Sequence, residues 1–271
     1  MIRGDLNRAC QLLSDLVSEE PSNQQYLLAL ARAQRHRLVH ALTTRRPSEA
    51  DQSFQAAVKI MEELVSASPT NPEFMFELAD TLSMATTRMP SMEELVIAKG
   101  HLDRAIVYSQ QLASQFPRVQ QYQALLANAY SRLAGIQRDH SHWDEAEAHF
   151  ETALAGLESL VESSPTAFHQ FSLALSAREL ADLKRQRGID AADQNQLHAS
   201  RDILSTTIDR FEKYLEDNVS NFGQRIRSNL YSSLAETYDA LGEPERSFEA
   251  RHQARPPGGG RRMGRPPAIG R

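Results

Sequence analysis

The stretch Trp143–Pro165, WDEAEAHFETALAGLESLVESSP, carries the pattern from which the architecture of this chain follows. Its small residues Ala146 and Ala153 flank Phe150 at spacings of four and three residues, so the three side chains lie on one face of a helix. Pro165 ends the helix, because proline lacks an N–H and restricts the residue before it. The stretch therefore predicts an amphipathic helix whose apolar face another helix must cover.

A fixed set of residue types recurs along the chain at a constant interval. Four prolines follow one another at intervals of 48 residues. A leucine lies five residues before each proline, an alanine twelve before and a large apolar residue fifteen before. The prolines are Pro21, Pro69, Pro117 and Pro165, the alanines are Ala9, Ala57, Ala105 and Ala153, and the large residues are Leu6, Phe54, Leu102 and Phe150. Because such periodicity marks proteins built from stacked repeats, the sequence predicts a solenoid.

Each repeat is predicted to contain two antiparallel helices. Helix B is the segment before each proline, and helix A is the segment after it, which carries a Leu-Ala pair nine and ten positions after the proline. The pairs are Leu30-Ala31, Leu78-Ala79 and Leu126-Ala127. A helix of about 20 residues is about 30 Å long. Alternating β-branched runs are absent, so the sequence predicts an all-α chain.

This pattern resembles the tetratricopeptide repeat (TPR) family. The order Ala146, Phe150, Ala153 matches the small–large–small set in helix B of that family, and the Leu-Ala pairs match its helix A. The family repeat is about 34 residues long, and here each helix is longer by two turns, which keeps the matching faces in phase. The resemblance covers nearly all of residues 1–254 and implies an α-α superhelix, a TPR-like solenoid, with a concave groove.

The main alternative is a HEAT-type array, whose period of about 40–47 residues is closer to the one in this chain. The TPR assignment is favoured because the small–large–small set and the terminal proline occupy matching places. The resemblance also extends to the repeat regions at the ends of large bacterial signalling proteins.

The boundaries of the helices follow from caps, prolines and glycines. The predicted helices span 5–20, 23–43, 48–68, 71–87, 91–115, 119–138, 142–163, 167–187, 195–216, 222–241 and 244–253. Ser48 and Ser141 are predicted N-caps, and Ser91 with Glu94 is a predicted capping box. Gly188 is the predicted C-terminal stop of its helix, followed by a loop over 188–196.

The first predicted helix is a helix B with no helix A before it. Its apolar residues Leu6, Ala9 and Leu13 would stay partly uncovered, because each repeat relies on its neighbours. The sequence therefore predicts that the chain begins inside an array. Either it is a fragment of a longer protein, or its first helix docks onto a partner or, by self-association, onto a second copy.

Composition excludes several classes of protein. No apolar run approaches the roughly 18 residues needed to span a bilayer, and the N-terminal segment has no apolar signal core. The single cysteine, Cys10, excludes an internal disulfide and a cysteine metal cage. The sequence predicts a cytoplasmic protein or, alternatively, the soluble part of a larger membrane-anchored protein.

The sequence contains no phosphate loop, nucleophile elbow or kinase motif set. The chain is therefore predicted not to be an enzyme and to need no cofactor. Two histidine groups are candidates for a metal site, but the first lacks the further ligands that zinc needs, and the second lacks the adjacent glutamate of a zinc-protease helix. They are His140 and His142 with Asp139, Asp144 and His149, in a predicted inter-helix turn, and His36 with His40 on one helix face.

The resemblance implies which side chains face the groove, because in the family they lie two, five and six residues after the leucine of the Leu-Ala pair. Transferred to this chain, they are Arg32, Arg35, His36, Asp80, Ser83, Met84, Asn128, Ser131, Arg132, Glu236, Asp239 and Ala240. The predicted groove runs from a basic to an acidic end. A partner peptide would place its own acidic end near Arg32 and Arg35.

The C-terminal tail suggests a second function. The chain has a formal net charge of −5, yet its last 21 residues hold six arginines and no acid. Residues 255–271 are predicted to be disordered. Such a tail would attract nucleic acid through phosphate contacts, although it has no aromatic side chain to stack on a base. The favoured function is a non-catalytic scaffold that binds protein segments, and the alternative is a nucleic-acid-associated protein.

Overall fold

The computed structural model describes residues 2–84 and 92–255, and within these ranges all regular structure is helical. The helices are α1 (Ile2–Glu19), α2 (Gln24–Thr43), α3 (Pro47–Ala67), α4 (Pro72–Ser83), α5 (Met92–Gln115), α6 (Gln120–Asp139), α7 (Trp143–Ser163), α8 (Ala167–Asp190), α9 (Gln194–Asp217), α10 (Asn221–Leu241) and α11 (Pro244–Gln253). The prediction of an all-α chain is confirmed.

The described helices form two compact units, α1 to α7 and α8 to α11. In the first unit, each helix from α1 to α6 packs on the next one along the chain, and α2 also contacts α4, which contacts α6. In the second unit, α8 packs on α9 and on α10, and α10 packs on α9 and α11. Within each unit, every helix A therefore packs on its hairpin partner and successive A helices contact each other, which is the stacking that a TPR-like solenoid requires.

Four B helices end at a regular interval. The B helices α1, α3, α5 and α7 end at Glu19, Ala67, Gln115 and Ser163, so successive ends lie 48 residues apart. The following A helices start with an asparagine cap in two repeats. Asn23 Oδ1 accepts from the backbone N–H groups of Gln25 and Tyr26, and Asn71 Oδ1 accepts from the N–H of Glu73 at 2.9 Å. These caps satisfy donors that a helix N-terminus otherwise leaves open.

The small–large–small set lies in the core, as predicted. Ala57, Ala105, Ala153 and Phe150 have no exposed surface. Alanine at these points lets the neighbouring helix approach closely, and the larger residue fills the space beside it. In the first unit, an apolar cluster joins residues of several helices; it includes Phe54, Met61, Leu64, Leu102 and Leu133.

Three predicted boundaries were wrong. Helix α8 continues through Gly188 to Asp190, and the turn to α9 holds only three residues, 191–193. Ser48 is not a cap: α3 begins at Pro47, which suits the first helical position because no N–H is needed there. Ser141 adopts a left-handed φ of 63° two residues before α7 starts. Local sequence signals are ambiguous by one or two residues where several turn formers adjoin.

Other predictions fall where the structure gives no description. These are the end of the fourth predicted helix at residue 87, the cap at Ser91 and nearly all of the tail over 255–271.

The first helix is only partly covered. Cys10 is buried against the rest of the unit, whereas Leu6, Ala9 and Leu13 are half-buried. Leu12 and Leu16 are exposed. None of the described helices combines the length and apolar character that crossing a membrane requires.

Candidate protein-binding surface

The A helices of the first unit bring the predicted groove residues of three repeats together. Arg32, Arg35 and His36 lie on α2, Asp80 and Ser83 on α4, and Asn128, Ser131 and Arg132 on α6. Because α4 contacts both α2 and α6, these positions form one face, which we call the A face of the first unit.

Ion pairs connect α2 to α4 across this face. Arg32 donates from Nε to Glu77 at 2.6 Å and from Nη2 to Glu73 at 2.8 Å. Arg35 Nη1 lies 3.0 Å from Glu77 Oε2 and also donates to the Asp80 carboxylate. The Glu77 carboxylate is almost fully buried and is shared by both arginines. The two predicted cations are therefore already neutralised by acids of the next repeat.

Asp80, which pairs with Arg35 in the same cluster, has a shifted pKa. Burial raises the pKa of the Asp80 carboxyl, because desolvation disfavours its charged form; Arg35 opposes the rise, Glu77 adds to it and Arg132 opposes it. The influence of Arg132 shows that charges on α6 reach the same cluster. The A face thus has paired charges between α2 and α4, with the Arg132 charge of α6 acting on Asp80, rather than a basic end.

The other predicted positions differ in accessibility. His36 and Arg132 are exposed, and Asn128 is half-buried. Ser83 is buried, and its hydroxyl donates to the Asp80 carbonyl at 2.8 Å. A partner on this face would therefore meet His36 and Arg132 first.

In the second unit, the two predicted acids are also paired. Glu236 accepts from Arg185 of α8, whose Nη2 lies 2.8 Å from the Glu236 carboxylate. Asp239 accepts from Arg251 of α11. Both pairs join α10 to a neighbouring helix, so these acids help to hold the helices of the unit together as well as lying on its surface.

Sequence reasoning missed the partners of these residues. Glu73 and Glu77 lie outside the family positions for the groove, yet they hold Arg32 and Arg35. It also assigned no position on α8, because the Leu-Ala pair there is Leu173-Ala174, one residue earlier than the period places it. Counting two and five residues from Leu173 would have placed Leu175 and Arg178 among the groove positions.

The histidine groups have structural surroundings. His149 Nδ1 lies 2.7 Å from Gln137 Oε1, and Gln137 Nε2 donates to Glu145 at 2.7 Å. The His149 ring also stacks on Tyr130 at 5.5 Å between centroids. Within residues 2–84 and 92–255, no three His, Cys, Asp or Glu side chains are grouped to hold a metal ion. Burial raises the pKa of the Cys10 thiol, which disfavours the reactive thiolate.

Comparison with known proteins finds likeness only among solved structures. No model of a protein family matches the sequence, and no curated protein matches it. The thermophilic TPR protein TTC0263 of Thermus thermophilus is 18% identical over 85% of this chain and 89% of its own, with a TM-score of 0.41. A tetratricopeptide repeat protein of Parabacteroides merdae is 15% identical over 93% and 86%, with a TM-score of 0.39. The apo form of RapI is 11% identical over 90% and 87%, with a TM-score of 0.40.

The fold is TPR-like. This fold is defined by the helical hairpins, the buried small–large–small sets and the contacts between successive A helices within each unit.

Proposed function

We propose that this chain is a non-catalytic scaffold that binds segments of other proteins on the A faces of its units. The observation that supports the proposal is the direct packing of successive A helices, joined by the ion pairs of Arg32 and Arg35 with Glu77. A surface held in this way is formed before the partner arrives. Little ordering entropy is then lost by the scaffold on binding.

The proposed contact positions are those predicted from the family pattern. They are Arg32, Arg35, His36, Asp80, Ser83, Asn128, Ser131, Arg132, Glu236 and Asp239. Because Arg32 and Arg35 are paired within the chain, a carboxylate of the partner must compete with Glu77 to reach them. The exposed His36 and Arg132 are side chains that a partner contacts directly, and Arg132 also acts on the nearby Asp80 charge.

Site-specific photo-crosslinking tests the proposal. Benzoylphenylalanine is placed at His36 or Arg132 on the A face, and at Asp51, an exposed position on α3, as the control. Cross-linked products from the cell of origin are identified by mass spectrometry. We expect one protein to cross-link through both A-face positions and not through Asp51. Equal capture at all three positions, or capture at none, contradicts the proposal.

Two more specific hypotheses extend this proposal. One places the scaffold in the cytoplasm as the interaction region of a larger bacterial signalling protein, and its support is the sequence resemblance. Another is self-association through α1, supported by the exposed Leu12 and Leu16. Sedimentation of a Leu12→Asp, Leu16→Asp double variant tests the second: a mass that matches the wild-type protein at every concentration argues against it.

A further inference from the structure

We propose that the A face of the second unit has an aromatic patch that binds a large apolar side chain flanked by a carboxylate, on a segment of a partner protein. The patch consists of Phe168, Phe171 and Leu175 on α8 and Phe222 and Arg225 on α10. This inference rests on the scaffold function proposed above and assigns to it a place and a partner chemistry.

The patch is continuous across two A helices. Phe168, Phe171 and Leu175 are three and four residues apart, so they share one face of α8. The Phe171 ring lies 5.1 Å from the Phe222 ring of α10 and 5.9 Å from the Phe211 ring of α9, both edge to face. Phe171 is thus anchored in the core and contacts the more exposed Phe222 ring.

The outer side chains of the patch face solvent. Phe168 is 58% exposed, Phe222 is 45% exposed and Leu175 is 37% exposed. Val219, in the turn three residues before Phe222, is 76% exposed. Large apolar side chains grouped in this way on a soluble protein mark interaction sites more often than isolated ones do.

The patch includes a position that is polar in the other A helices. The position two residues after the leucine of the Leu-Ala pair is Arg32 in α2, Asp80 in α4, Asn128 in α6 and Glu236 in α10. In α8 the same position is Leu175. The second unit therefore has an apolar residue at a position where every other repeat is polar, and water leaves such a surface readily when a partner covers it.

Arg225 determines which charge the partner segment should have. The guanidinium lies 5.4 Å from the centroid of the Phe222 ring. The neighbours of Arg225 three and four residues along α10 are Asn221, Phe222, Ser228 and Asn229, which include no acid. Within residues 2–84 and 92–255 Arg225 forms no ion pair. An exposed cation beside an apolar surface selects a carboxylate next to the apolar anchor.

A phage-displayed library of random peptides, panned on the full chain, tests the proposal. We expect enriched peptides in which an aromatic residue or leucine adjoins aspartate or glutamate. A synthetic peptide of the consensus sequence should bind about ten-fold more weakly to Phe222→Ser and to Arg225→Glu, since anchor residues carry most of the affinity. The control is Phe248→Ser on α11, where the ring is 70% exposed but lies outside the patch; its affinity should equal that of the wild-type protein.

Each other outcome overturns the proposal in a distinct way. Consensus peptides that bind all three variants alike place the site elsewhere and leave the scaffold function standing. A library without enrichment removes both. A dimer of the wild-type chain that dissociates in Phe222→Ser makes a second copy the occupant, and partner peptides are then excluded. Because Phe222 contacts Phe171, Phe168→Ser serves as a second variant should circular dichroism show that Phe222→Ser is unfolded.

Discussion

At the scale of the residue, Gly188 shows how a sequence signal can be misassigned. A glycine near the end of a helix usually allows a left-handed turn, yet Gly188 lies inside α8 and is buried. A Cβ at this position would meet Leu197 Cδ2 at 2.7 Å, Leu197 Cγ at 2.8 Å and the Asp193 carbonyl oxygen at 3.0 Å. The glycine is therefore required for the close approach of α9 and its preceding turn.

We expect Gly188→Ala to lower the free energy of unfolding by about 1–3 kcal/mol, because the added methyl group overpacks the contact with Leu197. The matched control is Gly100→Ala on α5, where a Cβ meets nothing within 4 Å. It should raise the free energy of unfolding by about 0.5–1 kcal/mol, since alanine restricts the unfolded chain. Urea denaturation measures both. Stabilisation by both substitutions contradicts the explanation of Gly188.

His149 should make stability depend on pH. Burial lowers its pKa from the usual value of 6.5; Glu145 and Asp103 oppose the shift and Lys99 adds to it. As the pH falls below 6.5, the unfolded chain takes up a proton that the folded chain still excludes, so the free energy of unfolding falls until the pH passes the folded pKa.

An NMR titration of the His149 ring should show a midpoint below 6.5, and the acid slope of stability should be smaller in His149→Gln. A slope unchanged by the substitution would assign the effect to His101, whose pKa burial also lowers.

At the scale of the element, the small residues of α7 control how closely helices pack. Ala153 has no exposed surface. A Cβ at Gly156, one turn away, would lie 3.4 Å from the Ala127 Cβ of α6. The two helices therefore approach closely over this turn, and a larger residue at the buried alanine has no space.

Ala153→Leu should destabilise the chain by about 1–3 kcal/mol through overpacking. Ala155→Leu is the matched control, because Ala155 lies two residues away on the same helix and is exposed; its effect should stay within about 0.5 kcal/mol. Thermal unfolding followed by circular dichroism compares the two variants. Equal losses would mean that side-chain size on α7, and not burial, governs the result.

At the scale of the whole molecule, ion pairs between repeats help to hold the A helices in register. Glu77 serves both Arg32 and Arg35 and is almost fully buried. The pair between Arg104 and Glu62 is equally short at 2.6 Å, but both of its side chains are more than 40% exposed. The buried pairs of Glu77 should therefore contribute more to stability than the Arg104–Glu62 pair, because solvent screens the exposed pair.

Glu77→Gln should lower the free energy of unfolding by about 1–3 kcal/mol, since it removes the buried charge that Arg32 and Arg35 share and leaves them only Glu73 and Asp80. Glu62→Gln should change it by at most about 1 kcal/mol. Chemical denaturation at low and high salt measures both. If the two substitutions cost the same, the buried pairs contribute no more to the register of α2 and α4 than a surface pair does.

The sequence by itself determined the features that depend only on residues close together along the chain. The ends of α3 and α7 and the buried face of Ala146, Phe150 and Ala153 follow from spacings within a single helix, because each side chain's direction is set by the helical turn. The tertiary structure alone decided which side chains meet across helices. Arg32 and Glu77 are 45 residues apart, and Phe171 meets Phe222 only because α8 and α10 pack in one register. That register depends on the packing of every contact along both helices at once, which no local pattern specifies.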